Sequence, residues 1–235
     1  VTPAAGTAID YTYDPEGQRI ETRQGANGTR AQYDAGHRYA ESNGAGQVTR
    51  HYQTIAPSRA ASKGSWARVG AAAMTLFLGM TDAGAIPTPR HYLHDALNTP
   101  LAITTQDGTI AQRSVYDAWG NPTTQETPDA GLEANPNRIG FTGYTLDREA
   151  SSDANGNPAG ASGAVASARY YAKARYYGGG RGSFLSTDPW GGDETNPLSY
   201  NKYLYAYGNP SAYADPDGRS ATLVGGLAGA AWGSV

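Results

Sequence analysis

A short unit that recurs along the chain constrains its fold more than any other feature. In each copy a Tyr-Asp pair is followed within a few residues by glycine, and the copies are Tyr13-Asp14 with Gly17, Tyr33-Asp34 with Gly36, and Tyr116-Asp117 with Gly120. Tyrosine ends a strand with a rigid packing surface, aspartate accepts hydrogen bonds from the turn backbone, and glycine takes the positive φ that the turn needs. Each unit therefore predicts one β-hairpin. Because a single hairpin is not stable alone, the hairpins must stack side by side into an all-β fold with little helix.

The composition agrees with a turn-rich β protein and excludes several other classes. The 235 residues include 31 Gly and 17 Tyr, against three Phe and four Trp. The net charge of −3 gives no electrostatic footprint for direct binding of nucleic acid. Zero cysteines exclude disulfides, thiol enzymes and cysteine-based metal sites. No apolar run is long enough to predict a membrane span, no signal-peptide pattern is visible, and the start at Val1 indicates a piece of a longer protein.

The middle of the chain predicts further hairpins and connections. Asp107 and Gly108 lie between two alternating apolar runs, which predicts a hairpin within residues 91–121. Residues 122–137 are rich in Pro, Asn, Thr and Asp and predict a loop. Residues 138–147, RIGFTGYTLD, predict a strand with a glycine bend.

Other segments depart from the hairpin pattern. Residues 65–80 are apolar and predict either a short buried helix or a pair of buried strands. Residues 150–166 are small and polar and predict a flexible insertion. Four tyrosines alternate between Tyr200 and Tyr207, which predicts one face of a packed sheet, with stacking of sugars or bases as the alternative.

The stretch 168–219 carries a long and ordered set of motifs. It reads ARYYAKARYYGGGRGSFLSTDPWGGDETNPLSYNKYLYAYGNPSAYADPDGR. This stretch resembles the core domain at the end of RHS-repeat (YD-repeat) proteins, and YLHDALNTP, YDAWGN and GFTGYTLD resemble the segments that precede that core. The matching positions are Arg175, Tyr176, Tyr177, Gly182, Phe184, Leu185, Ser186, Asp188, Pro189, Tyr203, Tyr205, Tyr207, Asn209, Pro210, Asp215, Pro216 and Gly218.

The resemblance implies a shell that encloses a toxin. Such proteins wind stacked β-hairpins into a hollow cocoon, which the core domain closes as an inward-curling plug. Toxin-complex C components and type VI secretion effectors are bacterial members, and teneurins are animal relatives. The resemblance implies a YD-repeat shell segment over 1–167, the core over 168–219 and the start of the downstream cargo over 220–235.

The same resemblance implies partners and a location. The expected partners are the protein's own C-terminal toxin as cargo, the upstream YD-repeat shell, and a secretion apparatus or toxin-complex B component. Neither nucleic acid nor a membrane span is expected. The protein would be secreted or delivered from a bacterial cell, after a cytoplasmic stage before export.

Two aspartates are the candidate catalytic groups. Asp188 and Asp215 each precede a proline, which restricts the backbone that carries their side chains. Two neighbouring carboxylates share a proton, so that one activates water while the other protonates the carbonyl or the leaving group; equally, both aspartates fit ordinary turns. The resemblance implies that they form the catalytic dyad of a self-cleaving aspartyl protease, supported by Arg175. The implied cut follows Arg219, before Ser220, or lies within one residue of that bond.

Departures from the family pattern keep other functions open. Gly178 and Gly179 replace the usual Asp-Pro, Ser183 replaces an arginine, extra residues occur around 194–197, and Arg219 stands where an apolar residue is common. These departures favour the first alternative, a structural shell segment that does not cleave. A second alternative is an extracellular adhesion module of the teneurin type, which would bind a partner or a glycan through exposed tyrosines.

Neither a cofactor nor a metal is expected. His91 and His94 are three residues apart, and on a strand their side chains would point to opposite faces without a third ligand nearby. An aspartyl dyad needs only water.

Overall fold

A computed structural model describes most of the chain. It covers residues 8–15, 17–25, 27–34, 37–45, 47–55, 76–82, 89–130, 132, 137–152 and 165–223. The fold is all-β, as predicted, and consists of a large antiparallel sheet followed by a compact region of short strands and 3-10 turns.

The large sheet has ten strands, each paired with its neighbours in the sequence. They are β1 (Ile9–Tyr13), β2 (Arg19–Gln24), β3 (Asn27–Asp34), β4 (His37–Asn43), β5 (Val48–Ile55), β6 (Leu76–Asp82), β7 (Pro89–His94), β8 (Pro100–Thr105), β9 (Ile110–Tyr116) and β10 (Pro122–Glu126). All the pairings are antiparallel, so this part of the chain is a ribbon of successive hairpins. The hairpin predicted around Asp107 and Gly108 is formed by β8 and β9.

The compact region contains a four-stranded sheet and a two-stranded sheet. Its strands are β11 (Thr145–Leu146), β12 (Arg169–Tyr171), β13 (Tyr176–Gly178), β14 (Ser183–Phe184), β15 (Tyr213–Ala214) and β16 (Thr222–Leu223). Its 3-10 turns are Phe141–Gly143, Arg148–Ala150, Gly179–Arg181, Pro197–Tyr200 and Ala206–Gly208. Short strands joined by tight turns bring residues that are distant in the sequence close together.

The Tyr-Asp turn has the predicted geometry where it is described. Asp117 Oδ1 accepts hydrogen bonds from the backbone N–H groups of Trp119 and Asn121, both at 2.9 Å, and Gly120 has φ 85°. In the first hairpin, Asp14 Oδ1 likewise accepts the N–H of Gln18 at 2.7 Å, and Gly17 has φ 81°.

A further turn of the same kind follows β7. Asp95 Oδ1 accepts hydrogen bonds from the N–H groups of Leu97 and Thr99, and Asn98 takes the positive φ, 65°, in place of glycine. The sequence pattern missed this copy because histidine precedes the aspartate and asparagine replaces the glycine.

The loop predicted over residues 122–137 is wrong at its start. Strand β10 occupies Pro122–Glu126 and pairs with β9 at the edge of the large sheet. Four of its five residues are exposed, so the strand needs no apolar face. Apolar alternation, the usual strand signal, is therefore missing from its sequence.

Two further strand predictions, over residues 138–147 and over the tyrosines from 200 to 207, are also wrong. Residues 138–147 contain only an isolated bridge at Ile139, a 3-10 turn in which Thr142 has φ 51°, and the two residues of β11. The tyrosines from Tyr200 to Tyr207 lie in 3-10 turns and bends instead of a packed strand.

Local side-chain hydrogen bonds explain the absence of the tyrosine strand. Asn201 Oδ1 accepts a hydrogen bond from the N–H of Tyr203, which closes a turn that competes with sheet pairing. As a result, Tyr205 is fully buried whereas Tyr200 and Tyr203 are about half exposed.

The two predicted insertions lie mostly outside the described residues. Within 65–80 the structure describes only residues 76–80, which belong to β6 and pair with β5 and β7. Within 150–166, residues 153–164 lie outside the description. Ser152 and Ser167 form a bridge across that gap, and Val165 is buried in the core.

The core of the compact region is aromatic, and tyrosine hydroxyls tie it to the large sheet. Tyr177 packs against Tyr205 and Phe141, with ring centroids 4.5 and 6.0 Å away. The hydroxyls of Tyr170 and Tyr177 donate to the backbone carbonyls of Gly120 and Trp119, at 2.6 and 2.8 Å. Each buried hydroxyl therefore satisfies a carbonyl of the Tyr-Asp turn, which phenylalanine could not do.

The first hairpin also docks on the compact region. Arg19 forms an ion pair with Asp147 at 2.7 Å, and its guanidinium lies 4.7 Å from the centroid of the Tyr171 ring. Tyr11 donates to the same carboxylate at 2.8 Å. These contacts join elements more than 120 residues apart.

Within the described part of the chain, no helix has the length and apolar character of a membrane span. The same residues contain no group of three or more His, Cys, Asp or Glu side chains arranged to hold a metal ion.

The contact between the Tyr-Asp turn and the core leads to a stability prediction. Gly120→Ala is expected to lower the free energy of unfolding by about 3 kcal/mol, because strain at positive φ is added to severe overlap with Phe141. A Cβ at position 120 would lie 2.4 Å from Phe141 Cγ. Gly108→Ala is the matched control, since Gly108 has nearly the same φ, 86°, and no atom within 4 Å of the added Cβ. Urea unfolding should show a loss of only about 1 kcal/mol for the control; equal losses would contradict the packing argument.

Candidate functional site

Arg175 lies at the centre of the candidate site, immediately before β13. The backbone turns tightly between β12 and β13, where Ala172 N–H donates to the Arg175 carbonyl and Lys173 has φ 64°. The Arg175 side chain is only 4% exposed, and its guanidinium carbon lies 3.6 Å from the centroid of the Phe184 ring. The core thus holds the guanidinium from one side, and its donors point toward the polar side.

The guanidinium joins the two predicted aspartates. Arg175 Nη1 lies 3.0 Å from Asp188 Oδ2, and Nη2 lies 3.2 Å from Asp215 Oδ2. Nε donates to the carbonyl of Gly218 at 2.5 Å, and Nη1 also donates to the carbonyl of Lys202. Three of these partners lie far along the chain from Arg175 yet converge on its side chain. They are Asp188, Asp215 and Gly218, which follow Arg175 by 13, 40 and 43 positions.

The residues of the predicted cut lie against Asp215. Its Oδ1 accepts hydrogen bonds from the backbone N–H groups of Arg219 at 2.9 Å and Ser220 at 3.1 Å. Gly218 makes the turn possible, since it has φ 74° and an added Cβ would lie 2.5 Å from the carbonyl oxygen of Ala172. The carboxylate thus contacts the nitrogen atoms of both peptide bonds that flank Arg219.

Burial changes the acidity of Asp215. The residue is 1% exposed, and this burial raises the pKa of its carboxyl group to about 6. The Arg175 charge and the Arg219 N–H group lower the pKa, whereas the nearby carboxylate of Asp217 raises it. Near neutral pH a fraction of Asp215 therefore holds a proton that it can donate.

Asp188 is more accessible than Asp215 and borders a cleft. Its side chain is 14% exposed, and its Oδ1 accepts the N–H of Trp190 at 2.9 Å. The cleft has a volume of about 910 Å³ and brings solvent to the ion-paired carboxylate. Its lining includes Arg175, Asp188, Trp190, Asp215, Arg219 and Ser220.

The two aspartates meet through Arg175 and not through a shared proton. Among the described residues, their carboxylates make no direct hydrogen bond to each other, and each contacts a different nitrogen of the guanidinium. Asp217 is the carboxylate that neighbours Asp215, and its Oδ1 accepts the same Arg219 N–H at 3.1 Å. Sequence reasoning missed Asp217, although the Asp-Pro-Asp spacing of residues 215–217 was a visible signal.

Comparisons with known proteins agree with this architecture. No protein-family model matches the chain. Over 214 residues the chain is 30% identical to the tRNA3(Ser)-specific nuclease WapA of Bacillus spizizenii. This match covers 91% of the chain and 8% of the relative. Over 133 residues the chain is 35% identical to the tRNA nuclease WapA of Bacillus subtilis. This match covers 57% of the chain and 5% of the relative. The chain thus spans less than a tenth of the length of these relatives.

Solved structures of toxin complexes have the same fold. The TcdB2-TccC3 crystal structure matches with a TM-score of 0.56 at 20% identity, over 93% of this chain and 10% of that one. The Tc holotoxin pore of Photorhabdus luminescens matches with a TM-score of 0.56 at 20% identity, over 99% of this chain and 10% of that one.

The hairpin ribbon and its compact end therefore have the fold of the protein shell in these toxin complexes. By sequence, the chain is a homologue of WapA, which is a protein of the RHS (YD-repeat) family.

The buried acid leads to a pH-dependent stability prediction. The pKa of Asp215 is raised from 3.8 to about 6 in the folded protein, so its contribution to stability is complete below the unfolded value and is lost as the pH rises through about 6. Between pH 4 and 7.5 the parent should lose up to about 3 kcal/mol relative to Asp215→Asn, which cannot ionise. Urea unfolding across this range measures the difference.

Asp10→Asn is the control for this titration, because Asp10 is an exposed residue of β1. It should follow the pH dependence of the parent. Parallel curves for the parent and Asp215→Asn would show that Asp215 titrates normally in the folded state.

Proposed function

We propose that this chain is the C-terminal part of a toxin-encapsulating RHS shell, and that its core cuts its own backbone beside Arg219 to free the downstream toxin. The supporting observation is the set of contacts made by Arg175, which holds Asp188 and Asp215 at the turn formed by Gly218 and Arg219. The bond to be cut and the candidate catalytic groups thus share one site.

The proposed chemistry is the addition of water across a peptide bond. Asp188 is paired with Arg175 and is reached from the cleft. It accepts a proton from a water molecule as the oxygen of that water attacks the carbonyl carbon of the peptide bond. Arg175 stabilises the negative charge that develops on the carbonyl oxygen. Asp215 gives its proton to the leaving nitrogen as the carbon–nitrogen bond breaks, which produces a new carboxyl end and a new amino end.

Two adjoining bonds place their leaving nitrogen beside Asp215. For the Arg219–Ser220 bond, the leaving nitrogen is that of Ser220, 3.1 Å from Asp215 Oδ1. For the Gly218–Arg219 bond, the leaving nitrogen is that of Arg219, and the Gly218 carbonyl already accepts the Arg175 Nε–H. Because either bond is tethered within five residues of Asp215, the reaction is intramolecular and gains the corresponding entropic advantage.

The proposal extends to cargo and delivery. The cargo is a toxin joined to the chain after the cut, and the upstream hairpins of the same protein form the rest of the shell. The WapA relatives are named as tRNA nucleases, which supports a toxic cargo. Release from a bacterial cell, with a secretion apparatus or a toxin-complex B component as partner, completes the proposed function.

A non-cleaving shell segment is the second candidate. Gly178 and Gly179 replace the family's Asp-Pro, and they pack closely: a Cβ at Gly179 would lie 2.8 Å from Asn121 Oδ1. The close approach of Gly179 to Asn121 joins the core to the large sheet, which is a structural role. In that function Arg175 and its carboxylates hold the turn shut without reacting.

Intact mass spectrometry of the full-length protein distinguishes the two functions. The parent is expected to split at one of the two bonds beside Arg219, and the fragment masses identify which. Asp188→Asn and Asp215→Asn should each slow the cut by at least about 100-fold, because each removes one proton-transfer group. Asp10→Asn, exposed and far from the site in sequence, should cut like the parent. A parent that stays intact would support the structural segment.

A further inference from the structure

Asp217 has no role in the chemistry described so far, yet it lies beside Asp215. We propose that Asp217 is a positioning residue that acts through Asp215: its carboxylate shares the Arg219 N–H and favours the protonated form of its neighbour. This inference rests on the proposed function, since it assigns Asp215 the part of proton donor.

The geometry supports this pairing. Oδ1 of Asp215 and Oδ1 of Asp217 accept the same Arg219 N–H, at 2.9 and 3.1 Å. Because both contact one nitrogen atom, the two oxygens lie no more than about 6 Å apart. At such a separation one negative carboxylate disfavours ionisation of the other, and burial of Asp215 strengthens the effect.

The turn between β12 and β13 holds Asp217 in place. Its backbone carbonyl accepts the N–H of Ala174 at 3.0 Å, so this segment cannot swing away while the turn is formed. Burial lowers the pKa of Lys173, in the same turn, and the charge of Asp217 offsets part of that lowering. Asp217 therefore belongs to the built site, although it is only half-buried.

Among the other groups around Asp215, some favour the ionised form of its carboxyl group and others favour the protonated form. Arg175 stabilises the ionised form, and Asp188 is joined to the same guanidinium. The hydroxyl of Tyr144 donates to the backbone carbonyl of Asp215. Burial, and to a smaller extent the charge of Asp215, raise the pKa of Tyr205. Asp217 is the acidic neighbour among the described residues that opposes Arg175 most directly.

Substitution can separate charge from hydrogen bonding at this position. Asp217→Asn keeps a side-chain oxygen for the Arg219 N–H but removes the charge. Asp217→Glu keeps the charge and serves as the conservative rescue. Asp10→Asn removes an equal charge from the exposed face of β1 and is the control.

Two readouts on the full-length protein test the inference. A carboxyl carbon NMR titration reports the ionisation of Asp215, and its midpoint should fall by on the order of one pH unit in Asp217→Asn. The alkaline limb of the cleavage-rate profile should move with it, so that the rate at pH 7.5 falls about tenfold while the rate at low pH is kept. Asp217→Glu should return both midpoints toward those of the parent, and Asp10→Asn should leave them unchanged.

The outcomes separate this inference from the proposed function. An unchanged Asp215 midpoint in Asp217→Asn would overturn the inference, even if the parent cleaves. A parent that does not cleave at any pH would overturn the proposed function, and the titration would still decide whether Asp217 controls Asp215. An equal loss of rate at every pH would indicate a purely structural part for Asp217 and would also overturn the inference.

Discussion

The buried guanidinium of Arg175 is the interaction on which the organisation of the compact region depends. It contacts two carboxylates and two backbone carbonyls from three segments that are otherwise joined only by short strands and turns. Removing one partner of a buried ion pair usually costs about 3–5 kcal/mol, because the other charge remains without compensation. The same contacts bring Asp215 to the backbone at Arg219. Stability and the candidate chemistry therefore depend on one side chain.

Tyrosine connects this site to the hairpin ribbon. Tyr170 and Tyr177 bury their rings in the core and use their hydroxyls to satisfy carbonyls of the turn at Trp119 and Gly120. Side chains of the compact region thus donate hydrogen bonds to the backbone of the large sheet's last turn. These two positions require a ring and a hydroxyl in one residue, which tyrosine supplies and phenylalanine does not. A rigid connection of this kind is what a reaction dependent on close positioning needs.

Local rules predicted the hairpins, whereas contacts distant in sequence set the rest. The turn at Asp117 and Gly120 follows from the preferences of two residue types, and the structure confirms it. Strand β10 was missed because an exposed edge strand needs no apolar alternation. The alternating tyrosines suggested a strand, but side-chain hydrogen bonds such as that of Asn201 fold them into turns. The convergence of Asp188 and Asp215 could be expected only from the family resemblance, and their link through Arg175 depends on packing that no local pattern encodes.

The proposed function requires that one chain carries both the bond and the groups that cut it. The most direct test mixes the parent with an isotopically heavy Asp215→Asn chain and follows both by intact mass spectrometry over a dilution series. Under this function the parent is cut with a half-life independent of concentration, while the heavy chain stays whole. Cutting of the heavy chain by the parent, a half-life that shortens with concentration, or a parent that remains whole would contradict it.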